Sequence, residues 1–220
     1  MDELKIIELR ESVFADNDAD AENLREELAK ENTFLINLMS APGSGKTSTL
    51  LALLRELNGK LRVGVMEADI DSAVDAEAIA AAGVPCIQLH TGGMCHLDAD
   101  MCRQGLRALG TDDLDLVILE NVGNLVCPAE FDTGAHLNIT LLSVPEGHDK
   151  PLKYPLMYKK CSLLAVNKTD VLPYFDFDCE KLREYAKMRN PDIDIFFISA
   201  KSGEGIAELA DRILREALNK

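Results

Sequence analysis

Short apolar runs alternate with helix-like stretches from residue 34 to the end of the chain. The apolar runs predict strands at 34–39, 62–66, 86–89, 116–120, 139–144, 163–167 and 193–199. Helical patterns begin at Lys46 and Ile206 and cover 75–82, 98–108 and 179–188. Strands that alternate with helices are typical of a parallel sheet. The pattern therefore predicts an α/β fold with a mostly parallel central sheet and helices on both faces.

The first 33 residues differ from the rest, because apolar positions such as Leu24 and Leu28 lie among many acids. We interpret residues 1–33 as an N-terminal helical extension of one or two amphipathic helices, followed by one domain at 34–220. We favour an extension that covers a sheet edge. A binding arm or a self-association element is the alternative.

A strand, a small-residue turn and an apolar helix follow one another at 34–54, as in the phosphate-binding loop of P-loop NTPases. Ser40 stands where the pattern GxxxxGK[ST] has its first glycine. Lys46 is expected to reach the β- and γ-phosphates, and the Thr47 hydroxyl to bind magnesium. The predicted nucleotide contacts in this loop are Gly43, Ser44, Gly45, Lys46, Thr47 and Ser48.

The sequence NKTD directly follows the strand at 163–167 and predicts guanine recognition. The Asp170 carboxylate can accept hydrogen bonds from guanine N1–H and its exocyclic amine, which adenine does not offer. Asn167 can bind the base and brace the loop, and the Lys168 stem can lie along the ring. A companion loop about thirty residues later is expected to place a backbone N–H near guanine O6; it consists of Ser199, Ala200 and Lys201.

Acidic residues that end strands are candidates for magnesium binding and for orienting water. Glu120 and Gly123 have the spacing of a DxxG switch, with glutamate in place of aspartate. Asp69 ends a strand and Asp75 follows it, and we expect one of these two acids to complete the magnesium shell or to orient water. Lys46, Thr47, Asp75 and Glu120 are thus the catalytic candidates. Because no arginine is placed as a catalytic finger, we expect slow hydrolysis.

A second group consists of Cys95, His96 and Cys127, whose thiolates and imidazole suit nickel or zinc. The segments of Cys95 and Cys127 leave the carboxyl ends of neighbouring strand candidates, so we expect them to converge. Three ligands leave a tetrahedral site one short. Water, a cargo ligand, Asp100 or a second copy of the chain are open alternatives for the fourth position.

Composition narrows the choice of partners. The chain has 220 residues and a formal charge of -15, which disfavours nucleic acid and anionic membrane surfaces. It shows neither a signal peptide pattern nor an apolar run of membrane-spanning length, so we expect a cytoplasmic protein. The remaining cysteines lie in apolar or helical settings and are expected to be structural; they are Cys86, Cys102, Cys161 and Cys179.

The segments SAPGSGKT, TGGMCHLDA, LENVGNLVCPAEFD and SVPEGHDKPLKYP, with NKTD and SAKSGEG, resemble those of the hydrogenase nickel-incorporation GTPases. The resemblance covers the chain from about Phe34 onward. It implies a GTPase that binds GTP, GDP and magnesium, and that holds nickel or zinc through Cys95, His96 and Cys127.

The same resemblance implies a homodimer when GTP is bound, cooperation with hydrogenase maturation protein A, and nickel supply to the hydrogenase large subunit. In the segment DKPLKYP, Lys153 is expected to contact nucleotide on the partner chain. The first cysteine is Cys86, so an N-terminal nickel-storage site like that of some relatives is not expected here. Some relatives have histidine at the position of Asp100.

Other protein classes remain as alternatives. A urease accessory GTPase would use a Cys-X-His triplet, whereas Cys95 and His96 are adjacent. A GTPase chaperone for cobalamin enzymes would not need the Cys-His-Cys group. A non-catalytic metal-binding or storage protein would bind nickel without regard to nucleotide, and a substrate kinase would transfer phosphate to an acceptor.

Overall fold

The computed structural model describes residues 5–8, 17–69 and 74–219, with residues 5–8, 69 and 74–77 described by their backbone alone. Eight strands of the described residues form one sheet. They are β1 (Lys5–Glu8), β2 (Phe34–Ser40), β3 (Val63–Asp69), β4 (Cys86–His90), β5 (Leu116–Glu120), β6 (Leu137–Ser143), β7 (Leu163–Asn167) and β8 (Asp194–Phe197).

The strand order is β1-β4-β3-β5-β2-β6-β7-β8, and every pairing of neighbours is parallel. Strand β2 lies between β5 and β6, with Leu38 opposite Glu120 on one side and Ser40 opposite Leu141 on the other. Its seven residues are all buried, which is typical of a central strand covered on both faces. The carboxyl ends of all these strands therefore meet at one edge, where open α/β sheets bind ligands.

Helices cover both faces of the sheet. They are α1 (Asn17–Glu31), α2 (Lys46–Leu57), α3 (Val74–Ala81), α4 (Ala99–Leu109), α5 (Cys127–Glu130), α6 (Lys150–Lys153), α7 (Pro155–Lys160), α8 (Cys179–Arg189) and α9 (Ile206–Leu218). Residues of α2, α3 and α9 form one buried cluster with the sheet, and α1, α4, α7 and α8 pack on the opposite face. Among the helices in the described part of the chain, none is both long and apolar enough to cross a membrane.

The predicted α/β fold with a parallel sheet is confirmed. The strands at 116–120 and 163–167 have the expected bounds, and the other strands and helices differ by a few residues at their ends. The helical interpretation of the N-terminal segment is correct for Asn17–Glu31 but wrong for Lys5–Glu8, which form the edge strand β1 beside β4. Backbone pairing with a distant strand, which local periodicity cannot reveal, decides the conformation of these four residues.

Helix α1 is attached to the domain by apolar and ionic contacts. Leu24 and Leu28 are each 2 % exposed and pack with α4 and the sheet. Arg25 binds both carboxylate oxygens of Asp132, at 2.9 and 3.0 Å. Burial acts to raise the pKa of Asp132, but hydrogen bonds from Arg25 and Gly134 outweigh it, so that the pKa is lowered. The helix is therefore part of the packed domain.

The packing of α1 predicts a stability effect. Leu28→Ala should lower the free energy of unfolding by about 2–5 kcal/mol, because it removes buried apolar contacts and leaves a cavity. Urea denaturation followed by circular dichroism measures this change. Glu26→Ala on the exposed face of α1 is the control, expected within about 0.5 kcal/mol of the unmodified chain. Equal stability of both variants would contradict the docking of α1.

Candidate nucleotide and metal sites

The phosphate loop runs from the end of β2 to the start of α2, as the sequence predicts. Gly45 has a φ of 93°, and a methyl group at this position would lie 2.6 Å from Asn167 Nδ2. Both the backbone conformation and the close approach of Asn167 require glycine here. The loop thus directs backbone N–H groups of the α2 N-terminus to one place, which favours an anion.

Ser40, at the place of the first glycine, takes part in the loop. Its backbone is not in the left-handed region, so a side chain is tolerated. Its hydroxyl accepts a hydrogen bond from Lys46 Nζ at 3.2 Å and donates to the Ala41 carbonyl at 2.6 Å. The serine therefore holds the Lys46 ammonium inside the loop.

The candidate magnesium corner consists of Thr47 and Glu120. Thr47 Oγ1 donates to Glu120 Oε1 at 2.8 Å, and Glu120 is 2 % exposed. Two oxygen ligands side by side suit magnesium, a hard cation. Gly123 lies so close to the loop that an added Cβ would be 3.3 Å from Pro42 Cα. The side chains of Asp69 and Asp75, the other predicted magnesium ligands, lie outside the described residues.

Sequence reasoning missed Glu67, which lies opposite Glu120 in the register of β3 and β5 and is 2 % exposed. Two buried carboxylates on neighbouring strands concentrate negative charge at this corner. Burial first, and then the charges of Glu67 and Glu120, raise the pKa of the Cys86 thiol to about 12. Cys86 thus stays protonated, in agreement with its expected structural role.

Asn167 and Lys168 connect the predicted base-binding motif to the phosphate loop. Asn167 Nδ2 donates to the Ser44 carbonyl at 3.0 Å, and its Oδ1 accepts from the backbone N–H of Ala200 at 3.0 Å. Lys168 adopts a left-handed φ of 64°, and its Nζ donates to the Gly43 carbonyl at 2.8 Å. These contacts bring the three predicted loops together, and the bracing role expected for Asn167 is observed.

Asp170 faces a cavity beside the phosphate loop. Its Oδ1 accepts from Ser199 Oγ at 2.8 Å, and Lys201 Nζ lies 3.9 Å from its Oδ2. The cavity has a volume of about 300 Å³ and is lined by Gly45, Ser48, Asn167, Lys168, Asp170, Val171, Ala200 and Lys201. A larger cavity of about 410 Å³ lies at the opposite end of the sheet and contains none of the predicted site residues. The smaller cavity is therefore the candidate base site.

The metal candidates converge in part. Cys95 Sγ and Cys127 Sγ lie 2.8 Å apart, and this contact, ahead of burial, raises the pKa of Cys95. His96 Nδ1 is 4.0 Å from Cys95 Sγ, and the His96 ring stacks on Phe131 with ring centroids 3.7 Å apart. Strand β3 separates β4 from β5, so the two segments do not leave adjacent strands, although their loops meet. Within the described residues, no three candidate ligands form a complete metal-binding group.

Two further predicted residues are engaged locally. Asp100 in α4 accepts from Gln104 Nε2 at 2.8 Å and lies 3.8 Å from Arg103 Nη1. Lys153 Nζ lies 2.6 Å from Asp149 Oδ2, and its side chain is 58 % exposed. Lys153 is thus on the surface, where it pairs with Asp149.

Glu146 is another residue that sequence reasoning missed. It follows β6 and binds the hydroxyl of Ser44 at 2.7 Å. The only signal in the sequence is its place in the segment SVPEGHDKPLKYP, which assigns it no role. Its contact joins residues 102 positions apart and emerges only with the fold.

The chain is similar to known proteins in sequence and in fold. The model of the CobW/HypB/UreG nucleotide-binding domain matches residues 34–197. The chain is 45 % identical over 206 residues to hydrogenase maturation factor HypB of Azotobacter vinelandii, covering 93 % of this chain and 67 % of that one. A crystal structure of HypB from Helicobacter pylori in complex with nickel superimposes with a TM-score of 0.87 at 35 % identity, over 93 % of this chain and 96 % of that one.

A crystal structure of hydrogenase maturation factor HypB from Archaeoglobus fulgidus has a TM-score of 0.85 at 34 % identity, and covers 93 % of this chain and all of its own. The range matched by the family model contains β2 to β8, the phosphate loop and the Cys95 and Cys127 segments. The chain belongs to the HypB family of hydrogenase maturation factors, within the CobW/HypB/UreG nucleotide-binding proteins.

Proposed function

We propose that this protein is a GTP-hydrolysing metallochaperone that binds nickel or zinc and assists nickel insertion into the nickel-iron hydrogenase large subunit. One observation carries the proposal. Glu120 at the magnesium corner and Cys127 at the thiol pair lie seven residues apart on one segment, and each contacts its predicted partner. Nucleotide chemistry and metal binding thus share a short piece of backbone.

GTP binds with its phosphates on the loop at 43–48 and its base in the cavity beside Asp170. Asp170 accepts hydrogen bonds from the base, Lys168 lies along the ring, and the backbone N–H of Ala200 is held near the cavity by Asn167. Ser199 orients the Asp170 carboxylate through its hydroxyl. A carboxylate held in this way rejects bases that present no pair of donors.

Hydrolysis depends on charge stabilisation around the γ-phosphate. Lys46 leaves Ser40 to contact the β- and γ-phosphates, and Thr47 and Glu120 hold magnesium together with Asp69 or Asp75. The bound cation neutralises charge that develops on the phosphate oxygens. Asp75 is the proposed residue that orients the attacking water. With no arginine supplied for the transition state, turnover is slow.

Nickel or zinc, as cargo, binds to Cys95, His96 and Cys127. Because zinc–sulfur bonds are about 2.3 Å, a tetrahedral site requires the two sulfur atoms to separate to about 3.8 Å. The loop that ends at Val126 must therefore shift when metal binds. A second copy of the chain supplies the missing ligands, which makes the site complete in a GTP-bound homodimer.

Loss of the γ-phosphate releases the segment from Glu120 to Gly123, and the movement reaches Cys127 without a long pathway. Hydrolysis then loosens the site and releases nickel toward the hydrogenase large subunit. Hydrogenase maturation protein A is the proposed supplier of nickel. The ion pair between Lys153 and Asp149 breaks, and Lys153 then contacts nucleotide on the partner chain.

Asp170 tests guanine selection. The intact protein should bind GDP at least about 10⁴-fold more tightly than ADP, as in other sites built on hydrogen bonds. Asp170→Asn replaces one hydrogen-bond acceptor by a donor, so it should weaken GDP binding. It should strengthen the binding of xanthosine diphosphate, because the base of that nucleotide has a carbonyl in place of the exocyclic amine of guanine. Fluorescence titration measures all three affinities. The same change at the exposed Asp176 is the control; equal ADP and GDP binding by the intact protein would refute guanine selection.

Lys46 tests the phosphate loop. Lys46→Ala should lower kcat for GTP by about 10²–10³-fold, since one positioned charge contributes roughly 3 kcal/mol to the transition state. Phosphate release under saturating GTP measures the rate. Lys159→Ala removes an exposed lysine elsewhere and should leave turnover unchanged. An ordinary rate for Lys46→Ala would show that the loop has been assigned wrongly.

Coupling between nucleotide binding and metal binding is expected for a metallochaperone but not for a storage protein. Nickel and zinc affinities of the GDP form and of a non-hydrolysable GTP form should differ by about 5- to 150-fold. Metal must then change the ratio of GTP affinity to GDP affinity by the same factor. Cys95→Ala and Cys127→Ala should abolish tight metal binding, while Cys179→Ala, a partly exposed thiol in α8, should not. Identical metal affinity in both nucleotide states would contradict delivery by hydrolysis.

A further inference from the structure

Glu146, to which the sequence motifs assign no role, accepts an unusual number of hydrogen bonds. It ends a short 3₁₀ helix, Val144–Glu146, that follows β6 directly. A single carboxylate oxygen, Oε2, accepts three hydrogen bonds: from Ser143 N at 2.7 Å, Ser143 Oγ at 2.8 Å and Ser44 Oγ at 2.7 Å. The first two fix Glu146 to the end of its own strand. The third joins it to the phosphate loop.

The surroundings of the hydrogen bond between Ser44 and Glu146 strengthen it. Ser44 is fully buried, the Glu146 side chain is 14 % exposed, and Lys150 Nζ lies 3.8 Å from the other carboxylate oxygen. Hydrogen bonds to an ionised acceptor are about twice as strong as neutral ones, and exclusion of water strengthens them further. The Ser44 hydroxyl also lies 2.9 Å from the Ala41 carbonyl, so its one proton has two possible acceptors.

Ser44 is the one residue of the loop that is held at both its backbone and its side chain by other strands. Asn167 Nδ2, at the end of β7, binds its carbonyl, and Glu146, after β6, binds its hydroxyl. On either side of it stand Gly43 and Gly45, both with positive φ, which give the backbone freedom to turn. The two bonds hold Ser44 between these flexible positions.

We propose that Glu146 is a positioning residue that orders the phosphate loop through Ser44 and transmits phosphate occupancy to the segment 147–154. The inference rests on the proposed nucleotide site. When phosphate oxygens draw the backbone N–H groups of the loop toward them, Ser44 keeps its hydrogen bond to Glu146 and moves Glu146 with it. Glu146 begins the segment that continues into α6, where Lys150 pairs with it and Lys153 lies on the surface. Phosphate binding in this way sets the position of α6.

Nucleotide affinity tests the first half of this inference. Glu146→Ala and Ser44→Ala should each weaken GDP binding by about 10- to 100-fold, as expected for loss of a hydrogen bond to a charged group. Because both remove the same bond, the double variant should lose little more than either single one. Asp149→Ala removes a carboxylate from the same segment that contacts Lys153 and not the loop, and should leave GDP affinity unchanged. Additive losses in the double variant would overturn the inference.

Hydrogen–deuterium exchange tests the second half, with a readout that a purely structural role would not change. In the intact protein, GDP should slow exchange both in the loop and at 147–154. In Ser44→Ala with saturating GDP, the loop should remain protected and the effect at 147–154 should disappear. Use of GDP keeps Lys153 away from any nucleotide on a partner chain, because the proposed dimer needs GTP. A response at 147–154 that persists in Ser44→Ala would contradict transmission through Glu146.

These experiments separate two failures. An intact protein that binds no GDP would refute the proposed function itself, whereas GDP binding that is insensitive to Glu146→Ala and Ser44→Ala would refute only the role of Glu146. Thermal unfolding establishes that each variant is folded. Glu146→Gln keeps an acceptor in the same place and should bind GDP more tightly than Glu146→Ala, which preserves the test even if the alanine variant does not fold.

Discussion

The structure depends on a requirement of the phosphate loop: its backbone N–H groups must point toward one place, and contacts from outside the loop must keep them there. Three side chains meet this requirement: two belong to strands, and one directly follows a strand. Glu120 of β5 binds Thr47, Glu146 after β6 binds Ser44, and Asn167 of β7 binds the Ser44 carbonyl. A loop ordered beforehand loses less conformational entropy when its ligand arrives. Because β2 lies at the centre of the sheet, flanked by β5 and β6, such contacts are possible from both sides.

This arrangement joins parts of the site that are usually described separately. Asn167 belongs to the base-recognition motif, yet one end of its amide holds the phosphate loop and the other holds the Ala200 backbone. The base cavity and the phosphate loop are therefore one hydrogen-bonded unit. On the other side of β2, the segment that begins at Glu120 ends at Cys127, so the thiol pair is attached to the same unit through covalent backbone. A change at any one of these places alters the constraints on the others.

Much of this could be predicted from the sequence because local patterns and the fold agree. Buried strands such as Leu163–Asn167 are continuous apolar runs, and parallel strands bring their carboxyl ends together whatever their order. Three features were not accessible to such reasoning. Lys5–Glu8 becomes a strand only by pairing with β4, the helix Cys127–Glu130 is too short to show a period, and the Glu146–Ser44 contact joins distant residues. Strand order also had to come from the structure.

The thiol pair has a consequence for the chemistry of the metal site in air. Two sulfur atoms 2.8 Å apart are close to the separation of a disulfide bond, about 2.05 Å, so a mild oxidant that removes two electrons and two protons can join Cys95 to Cys127. In the proposed metal site, nickel and an oxidant would then compete for the same sulfur atoms. If Cys95 and Cys127 bind nickel as proposed, the metal capacity of the protein depends on redox conditions as well as on the bound nucleotide.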